Sequence, residues 1–256
     1  MNKQNKIIRK TNLVFKRKAK KLLKIKIGFL LAFGLMLATT TAAKANSSKR
    51  TIQLSALTMP QNSYKNVRQP KLFGTYEKVS TNIEPFTKWT GVLKRNQKQM
   101  RSIDRAVFTA WFDRMAHLQN QPLDVKMRQV NNIVNLFRYV NDERGTGQSD
   151  QWATPIEFLK RQYGDCEDFA ILKFMALKAL GVSESQMRLA VVQDVQKNIP
   201  HAVLIVYNQG QSFLLDNQIK NVVNTTQVAH YKPYYSITST AWWMHKAPVK
   251  TAQLSR

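Results

Sequence analysis

The chain has 256 residues and a formal net charge of +25 at pH 7, because 40 Lys and Arg residues outnumber 15 Asp and Glu residues. Such a charge is common in nucleic-acid-binding proteins, but the positive charges after residue 46 are scattered and form no stripe interleaved with aromatic residues. A single cysteine excludes an internal disulfide. We therefore expect no nucleic-acid partner, and a thiol that is either buried and inert or present for its reactivity.

Residues 1–45 follow the plan of a secretory signal peptide. The first 26 residues hold eleven Lys or Arg and no acid, an apolar run follows over Ile27–Ala38, and the segment ends in Ala43-Lys44-Ala45. The apolar run is shorter than the roughly 20 residues that span a bilayer. We expect cleavage near Ala45 and a periplasmic mature protein, with an uncleaved inner-membrane anchor as the alternative.

Removal of this segment leaves one domain preceded by an arm. Residues 1–45 hold twelve of the basic residues and none of the acids, so 28 basic and 15 acidic residues remain and the net charge falls to +13. Residues 46–100 are polar and irregular and contain three prolines, which predicts an extended N-terminal arm. Residues 101–256 carry the periodic patterns of a folded domain.

Helical patterns come first in that domain. Apolar residues at helical spacing predict amphipathic helices over 102–119 and from Asp124 to Val140. The sequence Thr154-Pro155-Ile156-Glu157 is a capping box with Pro at the first helical position, and we expect the short helix that it begins to end at Gly164. The next helix, from Cys166 to Leu180, is apolar nearly all round, which predicts that it is buried.

Strand patterns follow the helices. Three short runs rich in branched residues are separated by Gly, Asn or Pro: Arg188–Val195, His201–Tyr207 and Ser212–Asp216. Helices first and strands afterwards predict an α+β domain with a largely antiparallel sheet.

The thiol of Cys166 is the candidate nucleophile, because a helix N-terminus stabilises a thiolate. Of the four histidines, only His201 opens a strand that is followed by a strand ending in an acid, Asp216. If Gln209-Gly210 is a two-residue hairpin loop, His201 and Asp216 are diagonal neighbours on one face, within reach of a hydrogen bond. A three-residue loop would place them on opposite faces.

Three acids flank the candidate nucleophile: Asp165, Glu167 and Asp168. Like charge raises the pKa of a thiol, so these carboxylates oppose the thiolate unless a cation neutralises them. Calcium is the hard cation that carboxylate oxygens bind outside the cytoplasm. The alternative for Asp165 and Asp168 is plain helix capping and complementation of the helix dipole.

The motifs at 152–159 (WATPIEFL), 164–168 (GDCED), 201–204 (HAVL) and 215–217 (LDN) resemble the bacterial transglutaminase-like cysteine proteinases of the periplasmic, adhesin-releasing (LapG) type. The resemblance covers about 102–245. It implies a papain-like, transglutaminase-like core.

The resemblance also implies roles for individual residues. It carries a catalytic Cys–His–Asp triad onto Cys166, His201 and Asp216. It carries calcium binding near the nucleophile onto Asp165, Glu167 and Asp168.

The family's biology implies an activity and two partners. The activity is cleavage of a very large surface adhesin near its N-terminus, next to paired alanines, which frees the cell from a biofilm. The regulatory partner is an inner-membrane receptor that senses cyclic di-GMP and sequesters the protease with its periplasmic domain. Two alternatives stay open on the sequence: a transglutaminase-type acyltransferase, and a calcium-binding interaction protein that has lost catalysis.

Overall fold

The structure is a computed structural model and describes residues 69–141 and 151–247. The predicted signal peptide and the beginning of the predicted arm lie outside these residues, so both stay predictions. Within the two described ranges, no helix is long and apolar enough to cross a membrane.

One antiparallel sheet of seven strands forms the framework, in the order β1-β9-β8-β4-β5-β6-β7. A second, parallel pair joins β2 to β3. The strands are β1 Tyr76–Ser80, β2 Arg138–Tyr139, β3 Tyr163–Gly164, β4 Met187–Asp194, β5 Ile199–Asn208, β6 Gln211–Leu215, β7 Val223–Asn224, β8 Tyr231–Ile237 and β9 Trp242–Lys246.

Five α-helices accompany the sheet in the described part of the chain. They are α1 Thr87–Met100, α2 Arg105–Phe112, α3 Leu123–Val134, α4 Pro155–Arg161 and α5 Cys166–Ala179. The helix predicted over 102–119 is in fact α2 followed by a 3-10 turn over Asp113–Leu118. The helix predicted from Asp124 to Val140 is α3, which begins at Leu123 and ends at Val134.

Helix α5 is the centre of the larger hydrophobic core, as its apolar sequence predicts. Every residue from Glu167 to Ala179 is buried. The helices pack on the sheet face that carries Leu189, Leu204 and Ile237, whereas the alternating residues of the same strands form a smaller core on the other face. The α+β class predicted from the sequence is confirmed.

The loop between β5 and β6 has the predicted length. Asn208 pairs with Gln211, and the two loop residues Gln209 and Gly210 have φ of 49° and 73°, as a two-residue hairpin turn of this kind requires. Strand β6 pairs with β5 only from Leu204 to Asn208, so the first residues of β5 extend past the last pair.

The predicted extended arm is wrong for residues 76–100. Tyr76–Ser80 pairs with Trp242–Lys246 as an edge strand of the main sheet, and Thr87–Met100 is a helix whose Trp89 and Val92 are buried in the core. The polar composition hid this helix because only one narrow face of it is apolar.

Gly164 does not end α4 as expected. The left-handed residue after α4 is Gln162, with φ of 64°. Gly164 is instead required by close packing, since a Cβ there would lie 2.5 Å from Oδ2 of Asp168 and 2.7 Å from the ring of Phe158.

Gly164→Ala should therefore lower the free energy of unfolding by about 1–3 kcal/mol through overpacking, measured by urea denaturation. The matched control is Gly91→Ala in α1, where a Cβ meets only the flexible end of Arg95 at 3.3 Å. That change should raise the free energy of unfolding by about 0.5–1 kcal/mol because alanine favours a helix. Equal effects of both substitutions would contradict the packing interpretation.

Lys173, in the middle of α5, has no solvent exposure. Burial lowers its pKa from 10.5 to about 7, although the charge of Asp216 opposes the shift. Between these two pH values the unfolded chain binds a proton on this side chain that the folded chain does not. The free energy of unfolding should therefore rise with pH across this window, by about 5 kcal/mol at most.

Lys173→Met should abolish that rise, which urea denaturation at a series of pH values would measure. Lys178→Met is the control: Lys178 lies on the same helix and is also buried, but it forms an ion pair with Glu184 at 2.8 Å. Its loss should weaken the fold and leave the rise in place. A flat profile in the wild-type chain would contradict the prediction.

Candidate active site

Cys166 is the first residue of α5, and its thiol is half-buried. The Sγ donates to Oε2 of Glu167 at 3.1 Å and accepts a hydrogen bond from the backbone N–H of Ala202 in β5. The thiol therefore lies beside the residue that follows His201. The predicted nucleophile and the predicted base thus lie on neighbouring elements, at the start of α5 and in the part of β5 that extends past β6.

The thiol is in its protonated form in this environment. Burial raises the pKa of the Cys166 thiol well above its usual range, and the negative charges of Glu167 and Asp165 raise it further. The partial charge of the helix N-terminus favours the thiolate, but it does not outweigh burial and two neighbouring carboxylates.

His201 and Asp216 form the hydrogen bond that the hairpin register predicts. The His201 Nε2 lies 2.8 Å from Oδ1 of Asp216, and both side chains are almost completely buried. The pairing of Leu204 with Leu215 fixes this geometry, because it leaves His201 and Asp216 just beyond the last pair.

Asp216 remains ionised although it is buried. Burial alone would raise its pKa, but hydrogen bonds from His201, the Gln218 backbone N–H at 2.9 Å and the Tyr231 hydroxyl at 2.7 Å outweigh burial and hold the pKa below its usual range. Burial and the charge of Asp216 also raise the pKa of Tyr231, so its hydroxyl stays a donor.

This ionised carboxylate fixes the tautomer of the imidazole. Because Asp216 can only accept, Nε2 of His201 carries the hydrogen and Nδ1 has the free lone pair. The side-chain Nε2 of Gln218 lies 3.1 Å from Nδ1 and donates to it. Lys197 in turn bonds to the amide oxygen of Gln218. Nδ1 is therefore the basic nitrogen of the site, and Gln218 occupies it in this conformation.

Asp165 and Glu167 form a pair of buried carboxylates next to the thiol. Burial raises the pKa of Glu167, and its side chain is hydrogen-bonded to Asp165. Two carboxylates in contact must share a proton or a cation. Their oxygens fit a hard cation, although calcium takes 6–8 oxygen ligands and no group of three or more His, Cys, Asp or Glu side chains converges within the described residues.

Asp168 has a different environment from the one that the sequence suggested for a calcium ligand. Its Oδ1 accepts from the backbone N–H of Ala153 at 2.7 Å, and its Oδ2 pairs with Arg161 at 3.0 Å. The side chain is fully buried. Asp168 therefore connects α5 to the start and the end of α4, and its role as a calcium ligand stays a prediction.

Sequence reasoning missed three residues of this site: Gln218, Tyr231 and Arg161. Tyr231 lies 15 residues from Asp216, and its role depends on the order β8-β4-β5 in the sheet. No local sequence pattern predicts that Tyr231 lies next to Asp216. Gln218 follows Asp216 by two residues, a spacing typical of a side-chain-bonded turn, which was the available signal.

A cysteine at the head of a buried helix, set against a strand of an antiparallel sheet that presents a His–Asp pair, is the arrangement of cysteine proteases with a papain-like, transglutaminase-like fold. Residues 96–247 match the model of the bacterial transglutaminase-like cysteine proteinases. The chain belongs to this family and is a cysteine protease of the transglutaminase-like type.

Solved structures of LapG from Legionella pneumophila are similar to this chain. One is 30% identical, with a TM-score of 0.50 over 59% of this chain and 86% of that one. Calcium-bound and EGTA-treated forms of the same protein match at the same identity, with TM-scores of 0.50 and 0.51 over 60% and 62% of this chain and 86% of theirs. No curated protein sequence matches significantly.

Glu167→Gln should lower the pKa of the Cys166 thiol, because it removes the negative charge that accepts the thiol hydrogen. In calcium-free buffer at pH 7, the variant should react with iodoacetamide several-fold faster than the wild type, as mass spectrometry would show. Glu84→Gln removes an exposed carboxylate from the turn before α1 and should leave the rate unchanged. A slower Glu167→Gln variant would contradict this account of the thiol.

Proposed function

We propose that the protein is a periplasmic, calcium-dependent endopeptidase that cleaves a large cell-surface adhesin near its N-terminus, next to paired alanines, and so promotes release from a biofilm. Cys166, His201 and Asp216 would be its catalytic triad. The observation that carries the proposal is the 2.8 Å bond between His201 and an ionised Asp216, formed beside the residue whose N–H contacts the thiol.

The proposed reaction is acyl transfer to water. Nδ1 of His201 takes the proton of Cys166, and the sulfur attacks the peptide carbonyl carbon. The imidazolium then returns the proton to the leaving amine, and water hydrolyses the thioester to release the acid and restore the thiol. Asp216 keeps the hydrogen on Nε2 throughout and stabilises the imidazolium. The Cys166 backbone N–H, at the start of α5, is the first donor to the developing oxyanion.

Two hydrogen bonds of the resting site must break before the proton of Cys166 can move to His201. The thiol donates to Glu167 instead of to the imidazole, and Gln218 donates to the nitrogen that has to accept the proton. The side chain of Gln218 is only partly buried, so a rotation about its side-chain bonds is sufficient to free Nδ1 for the thiol.

Asp165 and Glu167 are the residues that would hold calcium. When bound, calcium would neutralise the two carboxylates that raise the pKa of the thiol. The calcium-bound and EGTA-treated forms of LapG support this part of the proposal, because they belong to a protein 30% identical to this chain.

The substrate and the partner are proposed from the family resemblance. The substrate is a large surface adhesin, and the inhibitor is an inner-membrane receptor that senses cyclic di-GMP in the cytoplasm and binds the protease in the periplasm. Purified periplasmic domain of such a receptor should reduce the rate of cleavage, and the reduction should saturate at one copy per protease.

The decisive test combines Cys166→Ala with calcium chelation in a strain that carries the gene, and scores release of a large surface protein into the medium. Both treatments should abolish release. N-terminal sequencing of the released fragment should place the cut next to paired alanines. Asp216→Asn should lower the rate by about 10² or more, because the negative charge that fixes the His201 tautomer and stabilises the imidazolium is lost.

Asp194→Asn is the matched control, since Asp194 is an equally buried aspartate that bonds to the backbone of its own turn. It should not change the rate at a temperature where it is folded. Release that persists in Cys166→Ala would overturn the protease proposal. Release that is unaffected by chelation would contradict the calcium dependence and leave the protease proposal in place. Incorporation of a labelled amine without a new N-terminus would favour the acyltransferase.

A further inference from the structure

A second group of buried polar atoms surrounds the segment that begins at Asp216. Lys173 Nζ and the side-chain oxygens of Asn131, Asn135 and Asn217 are buried and have no hydrogen-bond partner among the described residues. We call these four side chains the lysine cluster. Unpartnered buried polar atoms are rare in native proteins, so four of them near one segment call for a cause.

Every member of the lysine cluster is tied to the segment that begins at Asp216. Asn135 donates to the carbonyl of Asp216 at 2.8 Å, and Asn131 donates to the carbonyl of Lys220 at 3.0 Å. Asn217 belongs to the segment, and Lys173 interacts electrostatically with Asp216. Helix α3 thus supplies two amide donors to the backbone, and α5 supplies one cation to the carboxylate.

The position of Lys173 follows from the helix that also carries the nucleophile. Seven residues, or two turns, separate it from Cys166, so both side chains lie on the same face of α5. An ammonium group has three donors, and the three asparagines offer three free acceptor oxygens. Polar atoms of this kind are commonly joined by a buried water, which makes about three hydrogen bonds.

We propose that Lys173 is a positioning residue, which holds Asp216 against His201 through water-bridged bonds to the three asparagines of the lysine cluster and, in its protonated form, through its charge. The proposal rests on the proposed triad and deepens it, because it adds a cation that acts on the imidazole only through Asp216. It also gives a role to a lysine that lies in a helix otherwise apolar at its centre.

The other charged groups on the elements around α5 interact with partners other than Lys173 and Asp216. Arg161 at the end of α4 pairs with Asp168. Lys126 of α3 bonds to the carbonyl of Leu180 at the far end of α5. Arg188 of β4 pairs with Glu77 at 2.9 Å. Within the described residues, Asp216 is the group with a resolved electrostatic effect on Lys173, and burial keeps a good part of the Lys173 population neutral above pH 7.

The first experiment measures the imidazole directly and does not depend on catalysis. In a Cys166→Ala background, the midpoint of the His201 titration is followed by NMR of carbon-13-labelled histidine, assigned with a His201→Gln variant. Adding Lys173→Met removes a nearby positive charge, so the midpoint should move to higher pH by several tenths of a unit or more. Lys173→Arg keeps the charge and should restore most of the midpoint.

The second experiment measures catalysis in the otherwise wild-type enzyme, with release of the large surface protein as the readout. Lys173→Met should lower the rate at least tenfold, whereas Lys178→Met, which breaks the ion pair with Glu184 on the same helix, should lower stability and leave the rate of the folded enzyme near normal. Asn135→Ala, which removes the bond to the Asp216 carbonyl, is the second variant, with a smaller loss of the same kind.

The outcomes separate this proposal from the proposed function. A His201 midpoint and a rate that are unchanged by Lys173→Met would overturn the positioning role, while inactivity of Cys166→Ala would still support the protease. If Lys173→Met does not fold, the Asn135→Ala variant decides, and wild-type values in both measurements would overturn the proposal. If Cys166→Ala remains active, the proposed function fails, and the titration still reports on Lys173.

Discussion

An ionised carboxylate buried at the end of a β-strand is the feature on which the rest of the site depends. Asp216 is 1% exposed, and an unpaired charge at such a place would cost several kcal/mol. Its hydrogen bonds come from three separate parts of the fold, namely β5, β8 and the turn after β6. The carboxylate therefore fixes the relative positions of these parts, and the tautomer of His201 follows from its charge.

Two features next to the Cys166 thiol act on its protonation in opposite directions. The helix N-terminus favours the thiolate, the Glu167 carboxylate favours the protonated thiol, and the carboxylate prevails at rest. Glu167 accepts the thiol hydrogen, so the proton stays on sulfur. A helix N-terminus stabilises an anion by about 0.3–1 kcal/mol. Because one unit of pKa corresponds to about 1.4 kcal/mol, the terminus lowers the pKa of the thiol by less than one unit. Whatever activates this cysteine must first change the charge or the position of the two carboxylates beside it.

The sequence predicted the parts of the site that depend on local rules. A two-residue loop fixes the register of β5 and β6, and this register brings His201 to Asp216. The capping box at Thr154 is confirmed with both of its hydrogen bonds. The start of α5 at Cys166 is also confirmed.

Contacts between distant segments could not be predicted in this way. Strand β1 is a strand only because β9 pairs with it, and its burial pattern lacks a clear alternation. Asp168 was grouped with the metal ligands from its place beside the other acids and from the family resemblance. No sequence pattern predicted its ion pair with Arg161, seven residues earlier. Sequence adjacency on a helix does not place two side chains on one face.

The pairing of β1 with β9 means that the two ends of the folded domain close the same edge of the sheet. The family match begins only at residue 96, so a chain cut at that boundary would lose β1 and most of α1. Strand β9 would then present its backbone hydrogen-bonding groups to solvent, next to the 38% exposed side chain of Met244. Such an edge recruits other chains, so the family boundary is a poor guide to where a soluble fragment should begin.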